Sequence, residues 1–222
     1  SPNVAEQVIS GKLEVKKGGV HVPECTVFNS DIRGFTSISE KMDAQELVGL
    51  LNEYFTEMVG IIMEEDGVVD KYIGDAVMAV FGAPVPKPDD AVRAVRAAIR
   101  MRQELVKLNE RLAARGIPAL KTGIGLHTGE VVAGNIGSEK RMEYTVIGDA
   151  VNLASRLESN TKELGVNILI SEDTYNLVKD TCKAHAVKEI TVKGRKQPVM
   201  TYAVDAGDNV EGSAKKDAEK DA

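Results

Sequence analysis

The segment VVDKYIGDAVMAVF, Val68 to Phe81, restricts the fold of this chain more than any other stretch. Two apolar runs, Val68 to Ile73 and Ala76 to Phe81, are joined only by Gly74-Asp75. Glycine followed by aspartate tolerates the positive φ of a tight turn, so the pair reads as a β-hairpin. Helical patterns stand on either side. Leu47, Leu50, Leu51, Tyr54, Phe55, Met58, Val59 and Ile62 recur at the 3.6-residue period, with Asp43 and Glu46 resembling a capping box and Gly67 a stop. A second helix is predicted from Asp89 or Asp90, with Val92, Val95, Ile99, Leu105, Leu108 and Leu112 on one side and Gly116-Ile117-Pro118 at its end. A third runs from Asp149 to about Leu164.

Further strand candidates are Cys25 to Phe28, ending at Asp31, and Asn167 to Ile170. Two more hairpins are predicted: Thr122 to Leu126 with Val131 to Ala133, turning at His127-Thr128-Gly129-Glu130, and Ile190 to Val192 with Met200 to Val204. Strands and helices mixed in this way predict an α+β fold, a sheet backed by helices on one face.

Length and charge narrow the function classes. The 222 residues suit one domain with a large core. The folded unit is predicted over residues 20–205, with 1–19 as a connector from a missing upstream sensor or membrane part. Residues 206–222 carry almost no apolar side chains and are predicted to be a disordered tail. A net charge of -6 argues against nucleic-acid binding, which needs clustered Lys and Arg, yet leaves room for a nucleoside triphosphate in a local pocket. Cys25 and Cys182 form no disulfide framework and no metal-ligand spacing, so a reducing, cytoplasmic setting is expected for the domain. No apolar run approaches the length of a membrane helix.

Two carboxylates stand where packing alone rarely wants them: Asp31 at a strand end and Asp75 at a hairpin tip. Each alone is more often a turn-former. Together they suit Mg²⁺, which takes one or two carboxylates plus substrate phosphates. After Asp31, Gly34 permits a tight turn, and the backbone N–H groups of Gly34, Phe35 and Thr36 can face phosphate oxygens at a helix start.

SDIRGFTSISE, DKYIGDAVMAVFGAP, GIGLHTGEVVAGNIG and YTVIGDAVNLASRLE resemble, in order and spacing, the class III adenylyl and guanylyl cyclase domain, from about Val22 to Val204. The resemblance implies a ferredoxin-like, palm-like α+β core and a head-to-tail homodimer that uses two divalent cations, Mg²⁺ or Mn²⁺. It implies that Asp31 and Asp75 hold the metals, that Ile32 adds a backbone carbonyl, and that Lys71 and Thr145 read the base. Asn152 and Arg156 match the pair that acts on the transition state, and Lys193, with Arg195 and Lys196 close by, the lysine that meets the outer phosphates. The metal ligands would come from one protomer, and Lys71, Thr145, Asn152 and Arg156 from its partner.

A lysine has donors only, which suits adenine N1 and opposes guanine N1–H, so ATP is the expected substrate. Thr145 replaces the commoner aspartate and resembles a subgroup stimulated by bicarbonate or CO₂; since threonine also donates, softer base selectivity is expected. Guanylyl cyclase and a non-catalytic dimerising module are the alternatives, whereas the GG[D/E]EF hairpin of diguanylate cyclases is absent. Without the motifs, Asn152 and Arg156 read as a solvated stripe and Lys71 as a snorkelling edge residue. His127 is expected to be a structural hairpin residue, Arg33 and Arg141 surface or dimer-contact charges, and the methionines core filler.

Overall fold

Strand β1 (Gly18–Ile32) pairs antiparallel with β4 (Thr122–Gly137) from Gly18 opposite Asn135 to Ile32 opposite Thr122, and these two strands form the spine of the sheet. The computed structural model describes residues 9–10, 18–191 and 198–207. Most of the expected connector, the tail beyond Gly207 and the cluster Lys193, Arg195 and Lys196 lie outside the described residues. Between the spine strands come α1 (Phe35–Ser39), α2 (Ala44–Glu64), the hairpin β2 (Val68–Ile73) and β3 (Ala76–Phe81), and α3 (Asp90–Ala114). After β4 follow β5 (Met142–Ile147), α4 (Asp149–Glu163), β6 (Ile168–Ser171), α5 (Glu172–Val178), β7 (Ala184–Ile190) and β8 (Val199–Val204). The sheet order is β2-β3-β1-β4-β6-β8-β7, with β5 paired to the second half of β4. Among the described strands, only β4 and β6 run parallel.

Alternation along β1 separates two packed layers. Phe28 and Ile32 join Ala79, Phe81, Ile124 and Leu126 against Tyr54, Met58, Met101 and Leu105 of α2 and α3. Cys25 and Val27 face the other way and pack with Val80, Val131 and Val146 against Ala150 and Ala154 of α4. The sheet is therefore backed by helices on both faces, not one. Gly123 and Gly125 make this possible. A Cβ on Gly125 would collide with the Glu158 N–H and the Ala154 carbonyl, so the backbones of β4 and α4 touch where side chains would normally separate them.

The expected turn at His127 to Glu130 is instead the middle of β4. His127 and Thr128 stay buried in this strand because each finds a partner. The Thr128 hydroxyl is 2.9 Å from that of Thr26 and 3.0 Å from that of Thr174, and His127 Nδ1 is 2.8 Å from Ser171 Oγ. His127 is thus structural, within a strand. The true reversal falls at Ser138 to Arg141, where the Ser138 N–H donates to the Arg141 carbonyl at 2.8 Å.

Asp43 caps α2 by accepting from the Gln45 N–H at 2.8 Å. At the other end the left-handed residue is Asp66 (φ 59), while Gly67 is required because a Cβ there would strike the Phe81 ring and the Ile62 carbonyl. Glu65 fastens α2 to α3, accepting from Arg96 Nε at 2.7 Å and Arg100 Nη1 at 2.9 Å. The Arg96 hydrogen bond holds the Glu65 carboxyl below its ordinary range; burial opposes this and Arg100 adds to it.

Gly125→Ala is expected to destabilise the domain by about 3 kcal/mol in urea unfolding, because backbone must move. Gly49→Ala, at an open position of α2, is expected to gain about 0.5–1 kcal/mol. A Gly125→Ala protein as stable as the parent would contradict the contact described. For Glu65 the folded carboxyl is the more acidic, so its contribution is present above the unfolded pKa near 4.5 and lost as pH falls through the folded value. Glu65→Gln is therefore expected to lower the melting temperature at pH 7 and to matter progressively less on acidification.

Candidate active site

The end of β1 and the tip of the β2–β3 hairpin meet because β1 and β3 pair antiparallel, with Ser30 opposite Val77. Gly74, at φ 65, makes the turn that leaves Asp75 at its tip. Asp75 Oδ2 accepts from the Ile32 backbone N–H at 3.3 Å. The Asp31 side chain projects to the α4 side, opposite Gly123 of β4. Asp31 and Asp75 are thus brought together. Burial first, then a hydrogen bond and charge repulsion from Asp75, push the Asp31 carboxyl up to about 7.

Two carboxylates crowded until one resists ionising form a donor set that a divalent cation would relieve. Carboxylate and backbone carbonyl oxygens suit Mg²⁺ or Mn²⁺ rather than a thiolate-seeking metal. Among the described residues no third His, Cys, Asp or Glu completes a metal cage. Gly34 is in the left-handed region at φ 69, and Phe35 and Thr36 open the five-residue α1 beside it.

Two neighbours of this pair escaped the sequence reading. Glu158, half-buried on α4, has Oε1 2.9 Å from where a Cβ on Gly123 would sit. That position is across from Asp31, and the Glu158 charge raises the Asp31 pKa further. Arg33 is not the surface charge expected. It is half-buried, donates to the Val166 carbonyl, and lies within electrostatic reach of Glu158. The signal for Glu158 was its place four residues after Ala154 on the helix face that meets Gly123 and Gly125. Nothing local to Arg33 distinguished it from a surface residue. Arg141, as expected, is exposed, and it pairs with Glu143 at 2.7 Å.

Lys71 and Thr145 come from different strands and converge on Asp70. Thr145 Oγ1 donates to Asp70 Oδ2 at 2.7 Å, and Lys71 Nζ is 3.9 Å from the same oxygen and 3.9 Å from Glu143 Oε2. The Asp70 carboxyl is pushed up by burial and drawn back by the Thr145 hydrogen bond and by Lys71.

Asn152 and Arg156 lie one turn apart on α4, both exposed, while Leu153, Ala154 and Leu157 are buried beneath them. Among the described residues the Arg156 guanidinium makes no ion pair, and neither side chain hydrogen-bonds within the chain. They are not joined to Asp31 or Asp75 by any described contact.

No helix among the described residues is long and apolar enough to cross a membrane. Residues 20–206 match the family model described as the adenylate and guanylate cyclase catalytic domain. The adenylate cyclase of Anabaena cylindrica is 39% identical over 216 residues, covering 92% of this chain and 42% of that protein. The chain spans less than half the length of the curated relatives it matches first. Among solved structures, the adenylyl cyclase CyaB from P. aeruginosa is 41% identical with a TM-score of 0.78, covering 89% of this chain and 98% of that one. The guanylyl cyclase Cya2 is 40% identical, also with a TM-score of 0.78, covering 84% and 93%. Fold, motifs and family model agree, and the chain belongs to the adenylate and guanylate cyclase catalytic domain family.

Proposed function

We propose that this domain is an adenylyl cyclase, which converts ATP to 3′,5′-cyclic AMP and pyrophosphate at sites shared across a homodimer. Relatives that use either purine are equally similar, so overall likeness does not choose the base. What carries the adenine reading is the Lys71 ammonium beside the Thr145 hydroxyl, joined through Asp70. A cation offers donors alone, which fits the N1 acceptor of adenine and opposes the N1–H of guanine.

In the reaction a bond forms between the ribose 3′-oxygen and the α-phosphorus, the bond from that phosphorus to the β-phosphate bridging oxygen breaks, and the 3′-proton passes to solvent or to a substrate phosphate. Asp31, Asp75 and the Ile32 carbonyl would hold two divalent cations, Mg²⁺ or Mn²⁺. When bound, these supply Lewis-acid chemistry, acidifying the 3′-hydroxyl and neutralising the triphosphate. Backbone N–H groups of Gly34, Phe35 and Thr36 would receive phosphate oxygens, with Lys193 at the outer phosphates. Asn152 would orient the ribose, and Arg156 would meet charge developing on the α-phosphoryl group.

The exposure of these residues supports the homodimer. Asn152 and Arg156 present unused hydrogen-bonding groups on the exposed side of α4, apart from the aspartate pair. A partner protomer would bring a second aspartate pair to them, giving two equivalent sites.

Purified protein with Mg²⁺ or Mn²⁺ is expected to make cyclic AMP from ATP in preference to cyclic GMP from GTP, by chromatographic product analysis. More product from GTP would overturn the adenylyl reading. Asp75→Ala and Asn152→Ala are each expected to lower turnover on the order of 100-fold. Mixed and allowed to exchange subunits, the two variants should regain about a quarter of parental activity, since half of the dimers then carry one intact site. A mixture no more active than its components would exclude the shared site.

A further inference from the structure

Strand β2 carries one residue more than its partner. Val69 faces Ala79 and Lys71 faces Met78, which leaves Asp70 between them as a bulge. In a regular strand neighbouring side chains point to opposite faces. The bulge re-aims Asp70 so that it and Lys71 share the α4 side of the sheet, Lys71 Nζ lying 3.9 Å from Asp70 Oδ2. The Asp70 side chain is only 2% exposed, and its Oδ2 accepts from Thr145 Oγ1 at 2.7 Å. That is the only side-chain hydrogen bond to this carboxylate among the described residues.

A threonine hydroxyl has one proton and two lone pairs, and an ionised carboxylate only accepts. Lys71 favours the ionised form of Asp70 against the effect of burial. The Thr145 proton is therefore committed inward, and toward anything else Thr145 Oγ1 is an acceptor. Threonine alone would be an ambiguous reader of a purine. Threonine held by Asp70 is not.

We infer that Asp70 is a positioning residue that sets purine specificity: by fixing the Thr145 hydroxyl as an acceptor, it favours a base with an amino group at C6 and disfavours one with a carbonyl there. The inference rests on the reading of Lys71 and Thr145 as the base-reading pair.

The test compares the parent, Thr145→Val, Asp70→Leu and the double variant. For each, kcat/KM is measured with ATP and GTP, together with equilibrium binding of 3′-deoxy-ATP and 3′-deoxy-GTP, which lack the attacking hydroxyl. Thr145→Val keeps the shape and removes the oxygen. It is expected to weaken the adenine nucleotide roughly tenfold while leaving the guanine nucleotide unchanged or improved, as one neutral hydrogen bond is lost in the first case and an acceptor–acceptor contact in the second. Asp70→Leu frees the hydroxyl to donate to the guanine carbonyl and should narrow the ATP:GTP ratio by about tenfold. In the double variant the ratio should narrow no further than with Thr145→Val alone.

Two results would overturn the inference. One is Thr145→Val weakening guanine as much as adenine binding, which would mean the hydroxyl donates. The other is Asp70→Leu narrowing the ratio as much with Thr145→Val present as without it, which would route its effect through Lys71 or general packing. Thr145→Val leaves Asp70 in place, so it decides the sign even if Asp70→Leu does not fold. A parent protein that prefers GTP outright refutes the adenylyl reading itself, and is distinct from both.

Discussion

The seating of α4 on Gly123 and Gly125 is the contact on which the rest of the site depends. Side chains at those two positions would hold the helix away from the sheet, since the Glu158 N–H and the Ala154 carbonyl already occupy the space a Cβ at Gly125 needs. Close seating does three things at once. It closes a second apolar layer over Val27, Val80 and Val146 through Ala150 and Ala154. It turns Asn152 and Arg156 outward. It also lays the Glu158 carboxylate over Gly123, directly across from Asp31.

The electrostatics of the chain are unbalanced in a directed way. Acidic groups gather at one place, where burial and then the charges of Asp75 and Glu158 push the Asp31 carboxyl up, and Arg33 is a nearby cation that opposes the rise at Glu158. The Arg156 guanidinium, by contrast, is left on the surface without a carboxylate partner among the described residues. Some charges elsewhere are paired, as between Glu65 and Arg96 or Arg111 and Glu57.

The long helices and the β2–β3 hairpin were legible because their signals are local: a 3.6-residue stripe, an Asp43 cap, a Gly-Asp turn. Strand β4 was misread because His127, Thr128, Gly129 and Glu130 have the composition of a turn. Thr128 and His127 are tolerable in a strand only because Thr26, Thr174 and Ser171 arrive from distant parts of the chain to satisfy them. The helix Asp149–Glu163 was itself legible, but its place on the second face was not, since that place depends on Gly123 and Gly125 leaving room for its backbone.

The sequence by itself determined the long helices, the hairpin that carries Asp75, the family, and the two aspartates as a pair, because periodicity, turn chemistry and linked motifs are written in consecutive residues. Tertiary structure alone decided that α4 covers the opposite face, that Glu158 and Arg33 border the aspartates, and that Asp70 shares a side with Lys71 and captures Thr145. Those facts depend on a bulge, a strand register and a close helix contact between residues tens of positions apart. Each is fixed by which backbones pair, and no local pattern of side chains encodes it.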